Sequence, residues 1–286
     1  MNRRTALKSG LLLAGTPFFA PADAGLFAQA STRFRIGACD WSINATADVA
    51  AFDMANQIGL DGIQVSLNKP VSPDFLQRFD VQQAYLAASK RTGVAIGGLA
   101  LGILNEIPYK TDPRAEVWVS ESIDVAKALG VKTVLLAFFS KNDLKDDAVG
   151  TKTVIERLRK IAPKAEKAGV VLGIESWLSA PEHLAIIEAV ASPAVKVYYD
   201  VCNSTVRGYD IFREMRDLGT KHICEIHLKE NGYLLGKGKI DLNRVRQTLD
   251  EIGYSGWLHI EGAVPTGQPM LASYQENNRV VRAVFG

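Results

Sequence analysis

The chain has 286 residues, 47% of them hydrophobic and 22% charged, which is enough apolar material for a full core. With 33 basic against 31 acidic residues its formal net charge is only +2, so it lacks the electrostatic footprint of a protein built to hold nucleic acid or an acidic membrane surface. Its three cysteines, Cys39, Cys202 and Cys224, are odd in number and have none of the spacing of a metal knuckle or redox pair.

Residues 1–30 differ from the rest. MNRRTALKSG is basic, LLLAGTPFFA is apolar, and FAQA ends on the small-x-small pattern Ala28, Gln29, Ala30 that a signal peptidase cuts. The apolar part is shorter than the about 20 residues a membrane-spanning helix needs, so no membrane anchor is expected after cleavage. Asn2-Arg3-Arg4-Thr5-Ala6-Leu7-Lys8 is similar to a twin-arginine signal, whose route carries proteins already folded. The expectation is a periplasmic protein with a signal at 1–30 and one catalytic domain at 31–286. Cleavage removes Arg3, Arg4, Lys8 and Asp23 and leaves the mature chain neutral. The cysteines read as small buried hydrophobes, with one disulfide allowed in an oxidising compartment.

From residue 34 onward, short β-rich runs alternate with helix-period segments. The strands are FRIGACD (34–40), GIQVSLN (62–68), AIGGLALGIL (95–104), KTVLLAFF (132–139), VVLGIES (170–176), VKVYYDV (195–201), HICEIHLK (222–229) and WLHIEGA (257–263). Between them lie amphipathic stretches such as ADVAAFDMANQIG, AEVWVSESIDVAKALG and DLNRVRQTLDEIG. Gly59, Gly93, Gly130 and Gly169 each end a helix just before a strand, as a left-handed C-cap requires. Eight such repeats predict an α/β protein, a (β/α)8 TIM barrel. An open doubly wound sheet would need a glycine-rich phosphate turn after its first strand, and CDWSIN is not one. Gly236-Lys237-Gly238 is no nucleotide loop either.

In such a barrel, function collects where strands end. Strand five ends in Glu175, strand six in Asp200, strand seven in His227 and strand eight in Glu261. Each follows an apolar run that carries it to the barrel mouth. Gathering three anions is costly, because two unit charges about 4 Å apart repel by about 4 kcal/mol even at an effective dielectric of about 20. One divalent metal ion relieves this, and oxygen ligands with one imidazole suit Mn, Mg, Co or Zn in an open site.

The GIE of strand five, the YYD and following Asn203 of strand six, HLKEN of strand seven, LGKGKIDLNRV and the closing GYSGWLHIEG together resemble the sugar phosphate isomerase/epimerase family of xylose isomerase-like barrels. The resemblance covers nearly all of the mature chain. It implies a divalent metal on Glu175, Asp200, His227 and Glu261, with Glu175 and Glu261 also exchanging protons with substrate carbon on opposite faces. Two departures stand out. The epimerase branch carries a substrate-binding His where this chain has Asn203, and an Arg expected past strand seven is absent near Tyr233.

Further candidates surround that core. Lys229, two residues past His227 on the same side of its strand, is placed to hold a substrate oxygen or protonate a leaving group, or to be a solvated surface lysine. Trp41 and Trp177 flank strand ends one and five, as sugar-stacking aromatics or packed rim residues. Asn105 and Glu106 open a long loop after strand three, which either closes over the site or lies on the surface. Glu225, one layer below His227, needs a partner, and His259 on the next strand is the candidate. Taken together, the catalytic set is Glu175, Glu261 and Lys229, and the substrate-binding set is Asn203, Trp177, Trp41, Lys229 and Glu106.

The first functional reading is a metal-dependent isomerase or epimerase of an unphosphorylated keto-sugar, working through a metal-stabilised enediolate. The alternative is a periplasmic lyase that cleaves 3-keto-glycosides by β-elimination. A non-catalytic sugar-binding protein is the third. The expected partner is a small-molecule sugar or keto-glycoside, not nucleic acid, and a homo-oligomer is allowed.

Overall fold

The computed structural model describes residues 33–67 and 75–286. The expected signal, residues 1–30, and the last residue of the second expected strand, Asn68, lie outside the described residues. Eight parallel strands follow one another around a closed barrel: β1 (Phe34–Cys39), β2 (Gly62–Ser66), β3 (Ala95–Leu101), β4 (Thr133–Phe138), β5 (Val171–Ser176), β6 (Val195–Asp200), β7 (Ile223–Glu230) and β8 (Gly256–Gly262). β8 pairs back onto β1 through Phe34 to Ala38. All eight expected strands are present. The third is shorter than expected, because Gly102–Asn105 leave the extended conformation for a single 3-10 turn.

The described helices are α1 (Ala51–Ile58), α2 (Phe79–Thr92), α3 (Pro113–Leu129), α4 (Ala148–Ala168), α5 (Ala180–Val190), α6 (Val201–Val206), α7 (Ile211–His222), α8 (Leu242–Glu251) and α9 (Met270–Phe285). Their apolar stripes face the sheet; α1 buries Phe52, Ala55 and Ile58, spaced at helical period. Gly59, Gly93, Gly130 and Gly169 all have positive φ at C-caps, which only glycine adopts without strain. At the opposite ends, Asp112, Asp147, Asp200, Asp210 and Asp241 accept backbone N–H groups from the first turns of α3, α4, α6, α7 and α8. Each such cap stabilises its helix by about 1 kcal/mol.

Alternation along the strands sorts side chains into two cores. Outward residues such as Ile36, Val65, Leu136, Ile174 and Leu258 pack beneath the helices. A smaller inner cluster holds Ala100, Leu135, Ala137 and Tyr198, with Trp41 and Phe139 against it. The barrel floor is plugged: Trp257 stacks on His259 at 5.2 Å, and a Cβ at Gly37 or Gly97 would come within 2.5 Å of the His259 ring. Among the described residues, the polar strand ends gather at the C-terminal mouth instead. There the register sets Asp200 beside His227 and Lys229 beside Glu261.

Candidate metal centre

Glu175, Asp200, His227 and Glu261 come together at the mouth, each offering a ligand atom within 4.8 Å of the others. His227 is fully buried on β7. Its Nδ1 lies 3.1 Å from Glu175 Oε1 and 3.4 Å from Glu261 Oε2. Its Nε2 lies 2.8 Å from Gln64 Oε1 and 3.4 Å from Cys39 Sγ. Asp200 is the N-cap of α6, so its Oδ1 accepts from Cys202 N and Asn203 N at 2.7 and 2.8 Å. That cap fixes the carboxylate and turns Oδ2 toward the cluster.

Glu261 is held from two sides. Trp41 Nε1 donates to its Oε1 and Lys229 Nζ to its Oε2, both at 2.9 Å. Lys229 also approaches Asp200 Oδ2 at 3.6 Å, and Asn203 Nδ2 donates to Glu175 Oε1 at 3.5 Å. Above this floor is a cavity of about 420 Å³, lined among others by Trp41, Leu135, Phe139, Trp177 and Glu106. Phe139 and Trp177 meet edge to face at 5.3 Å.

The charges here do not balance within the protein. Burial pushes the Asp200 carboxyl up to about 7, outweighing the nearby Lys229 ammonium. Burial works the same way at Glu261, yet His227 and Lys229 hold that carboxyl down at about 2. At Lys229 burial disfavours the cation, and Asp200, Glu261 and Glu175 more than reverse this. At His227 burial again opposes the charge, and Cys39, Glu175 and Glu261 raise it well above the ordinary imidazole value. Because burial holds the Cys39 thiol up at about 12, it stays neutral, and the two glutamates are the effective anions.

These residues fit a divalent cation. Asp200 Oδ2 is buried without a hydrogen-bond partner among the described residues, a cost that a bound cation removes. Three carboxylates and an imidazole nitrogen are the donor set of an open Mn, Mg, Co or Zn site.

Residues 52–284 match the family model described as Xylose isomerase-like TIM barrel. The chain belongs to the xylose isomerase-like TIM barrel family. Within it, a 2-epi-5-epi-valiolone 7-phosphate 2-epimerase of Actinoplanes sp. is 28% identical over 222 residues, covering 75% of this chain and 80% of its own. An L-ribulose-5-phosphate 3-epimerase of Escherichia coli is 23% identical over 229 residues, covering 73% and 79%. Among solved structures, D-psicose 3-epimerase of Clostridium cellulolyticum H10 superposes with a TM-score of 0.75 at 18% identity, over 88% of this chain and 99% of that one. The 3-keto-D-glucoside 4-epimerase of E. coli superposes with a TM-score of 0.70 at 16% identity, over 87% and 99%. At these identities the superpositions establish the fold.

Every site residue expected from sequence reaches the mouth of this xylose isomerase-like barrel. Lys229 is half-buried among carboxylates, not a solvated lysine. Asn105 ties its loop to the next, its Oδ1 accepting from Phe139 N at 2.9 Å, while Glu106 stands exposed at the cavity edge. The expected Glu225 and His259 pair is present: His259 Nδ1 lies 3.5 Å from Glu225 Oε2, with Tyr198 OH nearer still at 2.9 Å. Burial pushes Glu225 up to about 8 and His259 well down, so both are neutral and the tyrosine bridges them better than an ion pair would. All three cysteines are free.

Sequence reasoning missed Gln64, Cys39 and Phe139. Gln64 carried a signal, as the one polar side chain inside GIQV, on the face that the strand period turns inward. Cys39 gave none, since a buried thiol beside a ligand has the same sequence context as one in a core.

Proposed function

We propose that the protein is a divalent-metal-dependent sugar isomerase or epimerase that removes a proton from the carbon beside the carbonyl of an unphosphorylated keto-sugar. The observation that carries this reading is the four-donor cluster, with an Asp200 oxygen that no hydrogen bond satisfies, on the floor of a cavity of about 420 Å³. When bound, the ion would supply positive charge next to the substrate oxygens, where negative charge develops. The protein's own groups do the rest. Glu175, steadied by Asn203, and Glu261, steadied by Trp41 and Lys229, both approach His227 Nδ1 and are the carboxylates that take and return carbon-bound protons. Among the described residues lining the cavity, Lys229 is the one cation, and Glu261 and Asp200 already engage it. That supports an unphosphorylated substrate over the phosphosugars named for the curated relatives.

One observation favours a second reading, cleavage of 3-keto-glycosides by β-elimination. Part of the cavity lining is apolar, with Ile103, Leu135, Phe139 and Trp177, and Lys229 lines the same cavity, where it can protonate a leaving oxygen. Such a wall suits an aglycone better than the hydroxyls of a free hexose. A non-catalytic sugar binder would have no use for two positioned glutamates.

The test is to incubate metal-loaded protein with ketoses and 3-keto-glycosides in D₂O. Deuterium incorporation at carbon is expected, with release of aglycone only under the second reading. Glu175→Gln and Glu261→Gln are expected to lower turnover ~100-fold or more. If both variants exchange deuterium at wild-type rates, the base lies elsewhere and the reading fails. We also propose export by the twin-arginine route, supported by the sequence of residues 2–8. Unchanged periplasmic accumulation of an Arg3→Lys, Arg4→Lys double variant would sink that.

A further inference from the structure

Gln64 is fully buried on β2, with its side chain inside the barrel, and nothing in the chemistry above uses it. Its Oε1 lies 2.8 Å from His227 Nε2 and also accepts from Cys39 Sγ at 3.3 Å. A side-chain amide presents an acceptor on one side and donors on the other, so its orientation decides what a neighbouring imidazole must be. Two features bear on that orientation. The Cys39 thiol is a donor and calls for the amide oxygen on this side. On the other side Gln64 Nε2 faces the notch left by Gly98, where a Cβ would lie 3.5 Å from Nε2 and 3.2 Å from Glu225 Oε2. Neither of those buried atoms has a hydrogen-bond partner among the described residues, so no bond on that side opposes the orientation the thiol sets.

We propose that Gln64 is a positioning residue for the metal centre. By accepting a hydrogen bond from His227 Nε2, it keeps the proton on that nitrogen and presents the Nδ1 lone pair to the space shared with Glu175, Asp200 and Glu261. This rests on the reading of the cluster as a divalent-cation site. An imidazole held by an acceptor on its far nitrogen is both oriented and made a better ligand, and removing such a partner typically lowers metal affinity ~10–100-fold. Gln64 needs no contact with substrate for this.

Metal affinity and proton location test the idea, independently of turnover. Zn²⁺ binding is measured by titration calorimetry for wild type, Gln64→Met and Gln64→Glu, alongside ¹⁵N spectra of the histidine rings and thermal melts of the metal-free proteins. The expected result is ~10–100-fold weaker binding in Gln64→Met, with the His227 Nε2 proton signal lost or shifted. Gln64→Glu keeps an acceptor in place and is expected to restore affinity to within ~10-fold of wild type. Equal affinity and an unchanged Nε2–H signal in Gln64→Met would overturn the proposal, as would Gln64→Glu behaving like Gln64→Met while still folded. Should wild type itself bind none of Zn²⁺, Mn²⁺, Co²⁺ and Mg²⁺, the proposed function fails. The positioning role is then judged on the metal-free spectra, where an Nε2–H signal that differs between wild type and Gln64→Met supports it and identical signals overturn it.

Discussion

Lys229→Met separates the structural role of the cluster's ammonium from its chemical one. Lys229 Nζ lies 2.9 Å from Glu261 Oε2 and 3.6 Å from Asp200 Oδ2, and its side chain is only 20% exposed. At an effective dielectric of about 20 the shorter pairing is worth about 6 kcal/mol of gross attraction and the longer about 4.6 kcal/mol. Two terms offset most of it: the desolvation of the ammonium, and the ease with which Asp200, already pushed up to about 7, takes a proton instead. A net loss of about 3 kcal/mol in the metal-free protein remains, the usual cost of breaking a buried pair. For a barrel of this size that lowers the melting temperature by about 6–12 °C. The same ammonium occupies the two oxygens that a cation would use. Lys229→Met is therefore expected to bind Zn²⁺ or Mn²⁺ ~10-fold more tightly and to regain its stability as metal is added, while turnover falls for want of the proton donor. Melts in chelator and in metal, with calorimetric titration, read all three. Unchanged metal-free stability, or weaker metal binding, would show that Lys229 does not balance these carboxylates.

Asp200→Ala and His227→Ala are each expected to lose bound metal and activity while keeping the barrel's circular dichroism; full metal occupancy in both would refute the four-ligand assignment. Trp41→Phe removes a charge-assisted hydrogen bond to Glu261 of about 1.5–3 kcal/mol, so turnover is expected to fall ~10-fold or more with metal affinity nearly unchanged; a wild-type rate would place Glu261 outside the chemistry. Buried His183 lies 2.9 Å from Ser176 Oγ, and burial lowers its pKa from 6.5 to about 4. Its neutral form thus contributes stability that is complete above about pH 6.5 and is lost as pH falls toward 4, about 3 kcal/mol in all. Urea unfolding of wild type and His183→Gln across that range checks this, and parallel pH profiles would contradict it.

The fold was legible because alternation and glycine caps are local signals: Gly59, Gly93, Gly130 and Gly169 sit where a helix must stop before the next strand. The clustered residues were legible for a different reason. Glu175, Asp200, His227 and Glu261 each break an apolar run at its end, and the closed barrel turns four similar sequence positions into one place. What stayed hidden depends on pairing between strands distant in sequence. Gln64 meets His227 across 163 residues, and nothing in GIQVS names its partner. The Tyr198 hydroxyl that joins the expected Glu225 and His259 pair was hidden for the same reason, since which buried group lies nearest is fixed by barrel curvature and not by periodicity. The capping role of Asp200 was masked by its neighbours, because Val201 to Val206 is too short a helix to show a period of its own.

The protonation pattern of the cluster leads to one more expectation. Without metal, Lys229 carries one positive charge, His227 is held protonated by its carboxylate neighbours, and burial favours a proton on Asp200 near neutral pH. Those charges offset Glu175 and Glu261. With a divalent cation in place, His227 must give up its Nδ1 proton to become a ligand and Asp200 must ionise, and the added charge compensates for both. Binding is thus an exchange of one ion for about two protons, and the site stays near neutrality in either state. Because the groups are coupled, the protons are released by the cluster as a whole and cannot be assigned one to each residue. The consequence is measurable. Near pH 6.5, titrations in buffers of different ionisation enthalpy should show between one and two protons released per metal, and apparent affinity should rise with pH through neutrality and continue to rise above it, because the carboxylate neighbours hold His227 protonated well above its ordinary value. A pH-independent affinity with no buffer dependence would mean that the cluster is already ionised without metal. The Asp200 oxygen that no hydrogen bond satisfies would then be a fixed anion, and the balance of charge argued for this site would be wrong.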